Sequence, residues 1–239
     1  PVHYWASKKR FMYIYSLFDR SPGLAVAFAV TAILAFAYHE FAHAFVADRL
    51  DDPTPRSLGR MTLNPFVHLS AFGLVMLFLF GFGWATTPVN PSRLRGNPRT
   101  SMAIVSVAGP AANLLMALLY AIPVRLGLVS PSLASGWMPT AAQFAFMGIY
   151  INLILLIFNL LPIPPLDGFT ILLGLLPPEL AYRLSPLRQY GQIIIIAILI
   201  LPSLLGFSIF SLVIDPILSI IIPILTGIDL GVFYYFLWG

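Results

Sequence analysis

The run Tyr38-His39-Glu40-Phe41-Ala42-His43 sets two imidazoles four residues apart, with a carboxylate next to the first. On a helix, positions i and i+4 share a face, so His39 and His43 can reach one ion. Glu40 then lies beside that ion, where it can take a proton from water. This geometry underlies the His-Glu-x-x-His pattern of zinc proteases. The chain has four histidines and its glutamates are Glu40 and Glu179, so such a match seldom arises by accident.

A catalytic zinc usually takes three protein ligands and keeps a fourth position open. With no cysteine in the chain, the third ligand has to be His, Asp or Glu. The candidates are His3, His68, Asp48, Asp51, Asp52, Asp167, Glu179, Asp215 and Asp229. Asp167 stands out because it follows an apolar span and Pro162, Pro164 and Pro165, which must break a helix. Irregular backbone at membrane depth is tolerated only where protein buries it or where it lines a water-filled cavity. The plain alternative is a turn aspartate preceding Gly168. His68 is expected to be structural and His3 a solvated terminal residue. Asp215 and Asp229 sit in turns flanked by Pro or Gly.

These residues are embedded in a very apolar chain. Of its 239 residues, 59% are hydrophobic and 9% charged, whereas a soluble domain carries about 25% charged residues. Runs of about 20 apolar residues, enough to cross a bilayer as helix, recur along the sequence. The first covers residues 24–47 and contains His39, Glu40 and His43, and ionisable groups inside a span are functional by default. Further spans are expected over 101–122 and 141–161, with two kinked ones in 190–238. Residues 66–83 are apolar but short and interrupted by Gly73, Gly81 and Gly83, which fits a re-entrant segment.

The expected fold is therefore an all-α polytopic membrane protein with about five transmembrane helices. A re-entrant or short β segment is expected between the first two clear spans. Residues 1–239 read as one integral-membrane domain: an interfacial segment at 1–20, a catalytic core at 24–175 and membrane helices at 190–239. The net charge is +4, and the arginines lie in short loops. That distribution suits loops facing anionic headgroups and argues against a nucleic-acid surface. If 66–83 re-enters, the loops 48–65, 84–100 and 177–189 share one side. Arg49, Arg56, Arg60, Arg93, Arg95, Arg99, Arg183 and Arg188 would then make that side cytoplasmic.

With these motifs in place, the chain resembles the site-2 proteases, which cleave transmembrane proteins inside the bilayer. The resemblance rests on HEFAHAF (39–45), AGPAANLLMA (108–117) and NLLPIPPLDG (159–168), in the family's order. GRMTLNP (59–65) and FGWATTPVNP (82–91) are similar to a compact bacterial branch of it. The resemblance implies one Zn2+ held by His39, His43 and Asp167, with Glu40 as general base. It implies a transmembrane protein substrate and a multi-pass location in the cell membrane. It also places Asn113 and Asn159 near the active site, although buried asparagines can equally bond one helix to another. Residues 84–89 suit a short edge strand that an unwound substrate could extend. Two rival readings are a transporter or channel with a buried His/Glu/Asp ion path, and a membrane zinc enzyme using Glu179 as third ligand.

Overall fold

The computed structural model describes residues 17–18, 21–68, 87–129, 136–204 and 210–238. All regular structure among them is helical. The long helices are α1 (Pro22–Arg49), α4 (Pro98–Arg125) and α5 (Ala141–Asn159), with one-turn helices α2 (Thr54–Ser57) and α3 (Pro65–His68) between the first two. After α5 come α6 (Asp167–Leu175), α7 (Pro178–Leu184), α8 (Gly191–Leu204), α9 (Asp215–Thr226) and α10 (Leu230–Trp238).

Local chemistry sets the helix starts. Ser21 caps α1 by accepting from the Leu24 N–H, with Pro22 in the first turn. Asn97 caps α4 by accepting from the N–H groups of Arg99 and Thr100, ahead of Pro98. Thr140 and Gln143 form a reciprocal capping box on α5. Each such cap stabilises a helix by about 1 kcal/mol. The prolines at 162, 164 and 165 separate α5 from α6, so Asp167 opens a new helix, where its charge complements the helix dipole.

Helices α1, α4 and α5 pack on one another, and α6 packs on α4. Large side chains of α5 such as Phe146, Met147 and Leu153 are fully buried. Small residues line the interior, including Ala27, Ala32, Ala35, Ala44, Ala117 and Ala121, while Leu115, Leu119 and Ile122 of α4 are exposed. Small residues let helices approach closely without a hydrophobic driving force between them, as membrane bundles require. Three helices, α1, α4 and α5, are long and apolar enough to cross a bilayer. Residues 212–226 and 230–238 qualify only as a pair, bent by 92°. The first two observed spans extend the expected ones by less than a turn at each end, and the third ends two residues short, at Asn159. Most of the expected re-entrant segment lies outside the described residues, as do residues 84–86 of the expected edge strand. Residues 87–90 are irregular.

The turn after α1 is held by charge and by a buried carboxylate. Arg56 grips Asp48 with two bonds, of 2.7 and 2.6 Å, and this partner raises the Arg56 pKa above its ordinary value. Asp52 is fully buried. Its Oδ1 accepts from the Thr54 N–H and hydroxyl, and its Oδ2 accepts from the Asn90 N–H at 2.7 Å.

Candidate metal centre

His39 and His43 project from α1 at the helical spacing anticipated above, and both are buried. The site lies about 9 to 15 Å along the helix axis from the end at Arg49. Asp167 arrives from the first turn of α6. Among the described residues these form the one group of three His, Asp or Glu side chains able to share an ion. His39 Nε2 is 3.0 Å from His43 Nε2, and Asp167 Oδ2 is 3.1 and 3.2 Å from those two nitrogens. Ligand atoms about 2.0–2.2 Å from a tetrahedral zinc are separated by little more than this.

The outward-facing atoms settle which lone pairs face inward. His39 Nδ1 lies 2.6 Å from Asn113 Oδ1, and His43 Nδ1 lies 2.8 Å from the Val105 carbonyl oxygen. Both partners are acceptors, so each Nδ1 carries the hydrogen and donates it. That fixes the tautomer and leaves each Nε2 with a lone pair aimed inward. Two imidazole nitrogens and a carboxylate oxygen thus converge with no donor among them. The donor set fits a cation, and two imidazoles with one carboxylate suit zinc.

The support for His39 extends further into the bundle. Asn113 is fully buried, and its amide donates to the Ala35 carbonyl and to Asn152 Oδ1, at 3.3 and 3.0 Å. Asn152 in turn donates to the Gly148 carbonyl of α5 at 2.9 Å. Every polar atom in this chain of amides is used, which avoids the cost of about 1–3 kcal/mol for a buried unsatisfied group. Sequence reading did not single out Asn152. Its signal was an amide inside an apolar span, but its partner on α4 could not be read from one helix. Asn159 donates to Leu155 of its own helix at 3.0 Å.

Glu40 is buried on the same helix, and its Oε2 lies 2.6 Å from the Thr87 hydroxyl. The other candidate aspartates are engaged elsewhere. Asp51 faces Arg95 at 3.6 Å, Asp215 accepts from the Tyr234 hydroxyl at 2.7 Å, and Asp229 accepts from the Gly231 N–H. His68 Nε2 pairs with the Thr62 carbonyl at 2.8 Å.

Gly109, within AGPAANLLMA, has a physical task in the structure. A Cβ there would sit 2.4 Å from His43 Nε2 and 2.5 Å from His39 Nε2. Only glycine lets α4 pass this close to the two Nε2 atoms. Gly109→Ala should push α4 away or rotate both rings. Overpacking of this kind costs about 1–3 kcal/mol, so zinc affinity should fall by roughly tenfold to a hundredfold. A zinc titration of folded Gly109→Ala protein checks this, and wild-type affinity would contradict it.

The family model of "Peptidase family M50" matches residues 123–202. Over 175 residues the chain is 38% identical to "Putative zinc metalloprotease YwhC" of Bacillus subtilis, covering 72% of this chain and 80% of that protein. It is 37% identical over 181 residues to "Putative zinc metalloprotease Rip2" of Mycolicibacterium smegmatis, covering 72% and 66% of the two chains. The Rip2 of Mycobacterium tuberculosis is 35% identical over 182 residues, covering 73% and 67%. No solved structure matches the chain significantly.

Proposed function

Because this chain belongs to peptidase family M50, the site-2 proteases, we propose that it hydrolyses peptide bonds of membrane-embedded proteins, with His39, His43 and Asp167 as the zinc ligands. The observation that carries the assignment is the convergence of three lone-pair atoms within 3.2 Å of one another inside an apolar bundle.

When bound, zinc supplies Lewis acidity, polarising a carbonyl and bringing the pKa of water towards about 7. The chain's own residues do the rest. Asn113 and the Val105 carbonyl hold the two imidazoles with Nε2 facing inward. Glu40 accepts the proton of the attacking water and returns it to the departing amide nitrogen. Its Oε1 is the oxygen for this task, since Oε2 is occupied by Thr87. Asn159 bonds back to the Leu155 carbonyl at the end of α5, just before the chain breaks towards Asp167.

Re-entry of residues 66–83 is the topology we favour. The Arg95 N–H donates to the Leu50 carbonyl at 2.7 Å, and its guanidinium reaches the Arg49 carbonyl at 3.2 Å. The end of α1 and the approach to α4 therefore meet at one end of the bundle, which supports an excursion that returns to the side it left. The Gly23 N–H donates to the Gly136 carbonyl at 3.0 Å, supporting an opposite end formed by the start of α1 and the approach to α5. With the arginine end cytoplasmic, the whole chain forms one catalytic membrane unit of about five crossings in the cell membrane. Residues 191–238 supply those beyond the three clear spans.

The transporter reading accounts for buried charge but not for two outward-tethered imidazoles meeting a carboxylate, with Glu40 on the same helix. Purified protein, reconstituted with a transmembrane peptide substrate, should contain about one zinc per chain. It should lose cleavage to a chelator and regain it when zinc is restored. Chelator-insensitive cleavage, or a protein that binds zinc and cuts no membrane substrate, would count against the proposal.

A further inference from the structure

We infer that Thr87 is a positioning residue for Glu40: its hydroxyl fixes one carboxylate oxygen so that the other faces the reacting water. The inference rests on the reading of Glu40 as general base. Thr87 Oγ1 lies 2.6 Å from Glu40 Oε2 and 3.1 Å from the Glu40 carbonyl oxygen. Both are acceptors, so the single hydroxyl proton serves Glu40 alone, and the shorter contact takes it. A hydrogen bond to a carboxylate is charge-assisted, short and strong.

Glu40 needs such a partner. A glutamate side chain has three rotatable bonds, and among the described residues no other side chain is bonded to its carboxylate. Left alone, that carboxylate could swing towards the inward lone pairs of His39 and His43 or away from the ion. Thr87 removes that freedom from a direction the zinc ligands do not use.

The segment bearing Thr87 is itself anchored. Three residues on, the Asn90 N–H is held by the buried Asp52 Oδ2 at 2.7 Å, and Asp52 is held by the start of α2. Residues 87–90 thus form a strap from the turn after α1 back to the base on α1. The strap belongs to the segment that follows the apolar residues 66–83, so it joins the general base to the part of the chain that precedes α4.

The test compares Thr87→Val, nearly isosteric but without the hydroxyl, with Thr87→Ser, which restores it. Geometric misplacement of a catalytic group costs on the order of tenfold to a hundredfold in rate. Zinc-loaded Thr87→Val should lose that much in kcat with KM nearly unchanged, and Thr87→Ser should recover most of it. A second readout needs no activity: exchange of the Asn90 amide hydrogen, which anchors the strap to Asp52, in metal-free protein. Exchange should quicken in Thr87→Val and equally in Glu40→Ala, which cut the same bond from opposite ends. Glu40→Gln, which keeps an oxygen acceptor, should leave it slow. Wild-type kcat in Thr87→Val, or exchange that neither Thr87→Val nor Glu40→Ala changes, overturns the inference. If Thr87→Val fails to fold, Glu40→Ala and Thr87→Ser still decide it. Should Glu40→Gln retain full cleavage, the base assignment falls, while the exchange data still judge the contact.

Discussion

Asp167→Ala is expected to release the zinc and abolish cleavage, while Asp215→Ala and Asp229→Ala change neither. Asp167 Oδ2 completes the triangle with the two Nε2 atoms. Losing a group that merely supports a ligand typically costs tenfold to a hundredfold in affinity, so losing the ligand itself should cost at least about a hundredfold. Two neutral imidazoles would be left facing each other at 3.0 Å with no anion to balance a cation in an apolar bundle. Asp215 and Asp229 instead serve a tyrosine hydroxyl on α10 and a turn N–H. The measurement is zinc content after dialysis against zinc-free buffer, with cleavage assayed on the same samples. Full zinc in Asp167→Ala would remove it from the ligand set and return attention to Glu179.

Much of this site was legible because its logic is local. The i, i+4 spacing of His39 and His43 needs only a helix, and the apolar run around them makes one. The break after Asn159 follows from three prolines, so Asp167 could be isolated among nine candidates before any contact was known. The span ends were readable to within three residues from the apolar runs alone, while the caps at Asn97 and at Thr140 with Gln143 set where the helices start. What one sequence could not carry were pairings between helices. The Val105 carbonyl has no side-chain signature, and Asn152 meets Asn113 only once α4 and α5 are packed. Gly109 looks like any small residue until both imidazoles are seen against it. Thr87 belongs to a stretch expected to pair with substrate through its main chain, and nothing in that reading pointed to the bond between its side chain and Glu40.

Glu40→Gln is expected to leave zinc bound and cleavage nearly gone. His39, His43 and Asp167 are untouched by the change, and the glutamine amide keeps almost the same shape. Its oxygen can still accept from Thr87, so the strap stays in place. Its nitrogen, however, is a donor and cannot take the water's proton. Losing a general base typically lowers the rate about a hundredfold to ten-thousandfold. Because binding is spared, the variant should hold uncut substrate long enough to be isolated with it.

Zinc content and cleavage of a transmembrane substrate, measured together on single preparations of wild-type and Glu40→Gln protein, test the central claim most directly. The account predicts equal zinc in both, at about one ion per chain, with cleavage confined to the wild type. Lost zinc in the variant would make Glu40 a ligand, and retained cleavage would contradict the proteolytic mechanism assigned to this site.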